Sequence, residues 1–92
     1  MIFTQRITIP QGVLVREVAG EAVILNLNTE TYFGLDEVGT CMWQALANSP
    51  TVQHAYDILI SEYDVAPDIL RNDLINLVEE LTNHGLLELG AA

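Results

Sequence analysis

Thr31-Tyr32-Phe33-Gly34-Leu35 decides how this chain is read. Its β-branched and aromatic residues favour a pleated, half-buried strand. Immediately afterwards the period changes. Val38, Cys41, Met42, Ala45 and Leu46 fall at helical spacing. Asp36 stands where its carboxylate can cap that helix. The stretch therefore reads as the last strand of a small sheet, running straight into a helix.

Toward the N-terminus, two more strands come into view. Val13–Val18 is β-branched and reads as a first strand, closed by a turn at Ala19-Gly20-Glu21. Ala22–Leu27 follows as a second strand, with Val23, Leu25 and Leu27 on one face, and Asn28-Thr29-Glu30 makes a second tight turn. With Thr31–Leu35 as the third strand, the three form an antiparallel meander, one face of which needs covering. In such a meander the first and third strands are edges. The third has no partner left inside the chain, so its open backbone groups are the expected functional surface. Residues 1–12 read as loosely extended, interrupted by the turn signal Pro10-Gln11-Gly12.

Toward the C-terminus, Asn48-Ser49-Pro50 ends the first helix and Thr51 caps a second, with the stripe Val52, Ala55, Leu59 and Tyr63. A third helix begins near Pro67, with Asp68 beside its positive end. Ala66 at its cap position cannot accept the orphan amides, so its start is expected to fray. Leu70, Leu74, Leu77, Val78 and Leu81 form its core stripe, and Gly85 stops it after His84. Leu86-Leu87 pack back, and Gly90-Ala91-Ala92 is expected to be loose. The order β-β-β-α-α-α predicts an α+β domain of winged-helix type, a three-stranded antiparallel sheet followed by three helices on one face. It is one domain over residues 1–92, with its core in about 13–88, and it has no repeats or low-complexity segments.

The charge narrows the partners. Three arginines, Arg6, Arg16 and Arg71, stand against 13 acidic residues in 92, with no lysine and a net charge of −10. That balance repels phosphate backbones and anionic lipid heads, and favours a neutral or cationic partner. No apolar run is long enough to cross a membrane. Met1–Arg6 lacks the plan of a signal peptide, so a cytoplasmic location is the expectation. Cys41 is the only cysteine, which rules out an intramolecular disulfide.

Catalytic groups are sparse. His54 and His84 each lack a ligand partner at helical spacing, and Cys41 lies on an apolar stripe with no base beside it. Asp36 and Glu37, like Glu79 and Glu80, are adjacent and point in different directions on a helix. No glycine-rich phosphate loop is present. No metal, cofactor or catalytic residue is expected.

Gly34 is the glycine that no turn or cap accounts for. Inside a strand, glycine marks either a bulge, here one bending the strand into the helix, or the close approach of another backbone. Tyr32 and Phe33 point to opposite faces, so one packs on the helices while the other is exposed or part of a binding surface. Beside its core stripe the third helix carries Ile69, Asp73, Asn76 and Glu80 on a mixed face. That face is either simply solvated or one wall of a groove whose other wall is the third strand. In the second case Asp73 would accept a hydrogen bond or meet a cation.

The runs Glu21–Asn28 and Tyr32–Gly39, then Met42-Trp43 and Leu46, then Glu62–Val65, Pro67, Asp73, Leu77, Leu81 and Gly85–Leu87, resemble the PqqD family. These are recognition elements for the precursors of ribosomally made, modified peptides. The resemblance spans about residues 13–88. It implies a non-catalytic adaptor that holds a precursor's leader segment as an added strand beside the third strand, in a cleft bordered by the third helix. The implied peptide-binding set is Thr31, Tyr32, Phe33, Gly34, Leu35, Ile69, Asp73, Asn76, Leu77 and Glu80. The implied partners are the leader peptide and a maturation enzyme. That enzyme would be a leader peptidase and cyclase in a lasso-peptide pathway, or a radical S-adenosylmethionine enzyme in a pyrroloquinoline quinone pathway. The chain departs from the family at Asp36, where Asn is frequent, and at Ala66, where Ser or Asp is frequent. A winged-helix DNA-binding regulator is the competing expectation and would need a basic recognition helix. A small enzyme is a third, with no reaction to name. The free edge also allows a monomer or an edge-strand dimer.

Overall fold

A computed structural model describes residues 2–90. A short 3-10 turn, Ile2–Thr4, leads into strand β1 (Arg6–Thr8). Strands β2 (Val13–Val18), β3 (Glu21–Asn26) and β4 (Thr31–Gly34) follow, then helices α1 (Glu37–Ala47), α2 (Val52–Glu62) and α3 (Pro67–Asn83), and strand β5 (Glu88–Gly90). β2, β3 and β4 form an antiparallel meander in that spatial order. β1 and β5 form a separate antiparallel pair. The result is an α+β, winged-helix-like domain with its sheet ahead of its helices.

Two N-terminal features differ from the sequence expectation. The described part of residues 1–12 is not loose, since Phe3 is 1% exposed in the core and Arg6–Thr8 pairs with Glu88–Gly90. Burial of an aromatic ring is the physical reason. Phe3 packs edge-on against Tyr56, and the Arg71 guanidinium lies 4.3 Å from its ring centroid. The Ile7 amide donates to the Pro50 carbonyl, which ties this arm to the loop between α1 and α2. Gly90 is likewise the end of β5 rather than loose, while Ala91 and Ala92 lie outside the described residues.

The helix ends follow local chemistry. Asp36 Oδ1 accepts the Gly39 amide at 2.8 Å, and Thr51 Oγ1 accepts that of His54 at 3.2 Å. Ala66 offers α3 no side-chain cap. Gly85, at φ +71°, ends α3 in a Schellman arrangement, with its amide on the Thr82 carbonyl and that of Leu86 on Leu81. All five stripe residues of α3 are buried.

The buried face of β3 is Ala22, Ile24 and Asn26. The face carrying Val23 and Leu27 looks to solvent, the reverse of what its apolar content suggests. The polar member of the buried set explains the choice. Asn26 Nδ2 donates to the Gly85 carbonyl at 2.8 Å, and its Oδ1 accepts the amides of Asn28 and Thr29. One buried amide therefore shapes the turn into β4 and pins the C-terminal end of α3 to the sheet. Thr40 Oγ1 does the same for α1, accepting the Ala22 amide at 2.9 Å. These two ties set where both helices stand relative to β4.

Candidate functional site

The hydrogen-bond register shows which backbone groups β4 leaves open. β3 and β4 pair Val23 with Gly34, Ile24 with Phe33, Leu25 with Tyr32 and Asn26 with Thr31. The Leu35 amide donates to the Ala22 carbonyl at 2.8 Å, in the same register. In an antiparallel ladder, bonded positions alternate. Phe33 and Thr31 therefore bond inward to β3, while the N–H and C=O of Tyr32 and Gly34 face the free edge. The register is unbroken through Gly34, so the strand carries no bulge there. An ideal Cβ on Gly34 would meet no atom within 4 Å. That open space lies on the outer face of the sheet, the side to which Tyr32 points.

α3 stands beside that edge. A groove of about 360 Å³ has Gly34, Leu35 and Asp36 on its sheet side and Val38, Gly39 and Met42 from α1 at its end. Asp73, Asn76 and Leu77 of α3 form the facing wall. At the far end of α3, the His84 ring lies 5.2 Å from that of Phe33. α3 therefore runs alongside β4 in the opposite direction.

Of the residues singled out from sequence, Gly34, Leu35, Asp73, Asn76 and Leu77 meet in this groove. Thr31, Tyr32, Phe33, Ile69 and Glu80 do not line it. Thr31 shares a hydrogen bond with Thr29 between their hydroxyls. Phe33 is half-buried, packed on the helices, while Tyr32 is 71% exposed on the outer face. Ile69 and Glu80 extend the exposed stripe of α3 one turn either side of Asp73 and Asn76. Sequence reading missed Asp36, Val38, Gly39 and Met42. Val38, on the apolar stripe of α1 by spacing, is 64% exposed and lines the groove. Tyr63, the last residue of the α2 stripe by spacing, is the exposed C-cap of α2.

The electrostatics are acidic throughout. α3 exposes Asp68, Asp73, Glu79 and Glu80, while its one arginine, Arg71, lies over Phe3. Such a helix is unsuited to a phosphate backbone. The neighbouring Cys41 thiol, foremost, holds the Tyr63 phenol above its ordinary range. Cys41 is half-buried. Among the described residues no group of three or more His, Cys, Asp or Glu is placed to hold a metal ion, and no helix is long and apolar enough to cross a membrane.

A winged-helix-like domain with an open strand edge facing a helix-walled groove is the class that these features define. Residues 21–87 match the family described as Coenzyme PQQ synthesis protein D (PqqD), and the chain belongs to that family. Among solved structures, TbiB1 in complex with the TbiA(beta) leader peptide is 35% identical, with a TM-score of 0.80 over 92% of this chain and 98% of that one. A lasso peptide synthetase B1 complexed with the leader peptide gives a TM-score of 0.76 over 90% and 98%; at 20% identity it supports the fold alone. A comparison with curated proteins gives no match.

Proposed function

We propose that this chain is a non-catalytic adaptor that takes the leader segment of a ribosomally made precursor peptide as an added strand on β4. The observation that carries this is the open edge itself. Tyr32 and Gly34 present two donors and two acceptors toward a groove whose far wall is Asp73, Asn76 and Leu77. Main-chain bonds would supply sequence-independent affinity, and the α3 wall would select side chains. The capture of TbiB1 with a leader peptide supports the same use of this chain. The candidate contact residues are Thr31–Leu35 on the strand and Ile69, Asp73, Asn76, Leu77 and Glu80 on the helix.

The adaptor holds and presents its peptide rather than transforming it. The partner is a maturation enzyme, either a leader peptidase acting with a cyclase or a radical S-adenosylmethionine enzyme. The adaptor raises the local concentration of the core peptide at that enzyme. The acidic α3 argues against a duplex-DNA regulator.

The test is an NMR titration of the labelled chain with peptides made from short reading frames beside its gene. One of them is expected to bind with micromolar or tighter affinity, moving the amides of Tyr32 and Gly34 together with those of α3 from Ile69 to Glu80. Shifts that avoid both β4 and α3 would overturn the proposal.

A further inference from the structure

We propose that a second pocket, continuous with the groove, receives a basic side chain, lysine or arginine, of the same bound peptide. The inference rests on the leader-binding role above. The pocket has a volume of about 390 Å³ and lies between α1, the loop joining α2 to α3, and the N-terminal half of α3. Val38, Met42 and Asp73 line both it and the groove, so the two form one continuous depression.

Its walls define the ligand. Val38, Met42, Leu59, Val65 and Leu70 make an apolar interior large enough for the stem of a long side chain. Glu37, Asp64 and Asp73 are exposed acids among its lining, and no basic residue lines it. The three carboxylates are not gathered closely enough to form a metal site. An aliphatic stem buried against such walls, with a cationic head beside the carboxylates, satisfies both parts. Tyr63 adds an aromatic surface for a guanidinium.

The direction of the chain says which peptide residue arrives there. Both existing strand pairs in this sheet are antiparallel. A strand added antiparallel to β4 has its N-terminal end at Gly34, above the groove. Residues upstream of the pairing segment then pass Val38, Met42 and Asp73 and reach the pocket. The basic residue is therefore expected N-terminal to the segment that pairs with Tyr32 and Gly34.

Three small probes with aliphatic stems of three or four carbons test the pocket: n-butylguanidinium, 1-butanol and butyrate, titrated into the labelled chain at constant ionic strength. n-Butylguanidinium is expected to shift Cys41, Tyr63 and Val65 saturably and to bind about threefold more tightly than 1-butanol, with butyrate weakest, as expected for partly exposed ion pairs. The double variant Glu37→Gln, Asp64→Asn, altered only at exposed positions, should lose that preference. Equal binding of 1-butanol, absence of saturable shifts in the pocket, or shifts spread over remote acids such as Asp57 and Glu79 would overturn the proposal. A peptide that moves Tyr32 and Gly34 is then compared with its form carrying norleucine in place of the upstream basic residue. The basic form should move Cys41 and Tyr63 and displace n-butylguanidinium, and the norleucine form should not. Shifts at β4 without any at Cys41 and Tyr63 would sink the pocket and leave leader binding standing. Shifts at neither place would sink leader binding too.

Discussion

The central sheet has two edges, β2 and β4, and the groove lies along that of β4. Along β2, the pairing of the Leu27 amide with the Gly12 carbonyl sets the alternation, so Val13, Val15 and Glu17 turn their backbone groups outward. This edge is longer than that of β4, six residues against four. Yet Val15, on the helix side of the sheet, is still 41% exposed. Arg16 and Glu17 hold charges at its centre, and Glu17 accepts a bond from Gln44. Charge at mid-strand is how natural edges discourage pairing. β4 has no charged residue, a glycine at its end, and α3 alongside. Unpaired backbone groups alone are therefore not the site. What distinguishes β4 is the helix that turns its edge into one side of a trough.

The largest expected effect comes from closing one edge and then the other with proline. Gly34→Pro removes an outward N–H and fills the open space, while leaving the bonds between β3 and β4 intact. Leader affinity should fall at least about tenfold, or 1.4 kcal/mol, with the far-UV circular dichroism unchanged. Val15→Pro removes the equivalent N–H from β2 and should leave affinity unaltered. Calorimetry on the two variants reads the difference directly. Equal losses would mean that the peptide does not choose between the edges.

Much of this asymmetry was legible in the sequence because it is set locally. Thr31–Leu35, the caps at Asp36 and Thr51, the stop at Gly85 and the α3 stripe each depend on residues a few positions apart. What was not legible depends on distant partners. The pairing of Arg6 with Gly90 joins the two ends of the chain, and no periodicity announces it. The inward face of β3 is not legible either, because Asn26, a polar residue, is the one that reaches Gly85. Val38 reads as core by spacing and becomes part of the groove only because α3 stands back from it. Half of the candidate site was visible, since strand and helix face carry their own patterns. Asp36, Val38, Gly39 and Met42 were not, because they acquire a role only from where α1 and α3 meet.

A smaller effect is expected from the facing wall. Asp73 is exposed and lines both the groove and the adjoining pocket. Asp73→Ala should weaken leader binding by about threefold to fivefold, the scale of one partly exposed charged contact. The loss should shrink as salt rises. Asp57→Ala, on the outer surface of α2, is the control and should have no effect. A salt-independent loss at Asp73 would point to a neutral hydrogen bond rather than a cation, which sharpens what the α3 wall reads.

The smallest effect separates an added strand from a peptide lying flat on the sheet. Leu14, Leu25 and Tyr32 stand in one row across the outer face, as their pairing requires. Leu14 is 51% exposed at the β2 end and Tyr32 is 71% exposed at the β4 end. A strand added to β4 places one of its side chains beside Tyr32 and none near Leu14. Cross-strand pairs contribute roughly 0.2–1 kcal/mol, so Tyr32→Ala should weaken binding about twofold while Leu14→Ala leaves it unchanged. A peptide lying across the outer face would touch both ends of the row and lose affinity in both variants. Both side chains are exposed, so neither substitution threatens the fold, and the ratio of the two affinities carries the answer even if each change is small.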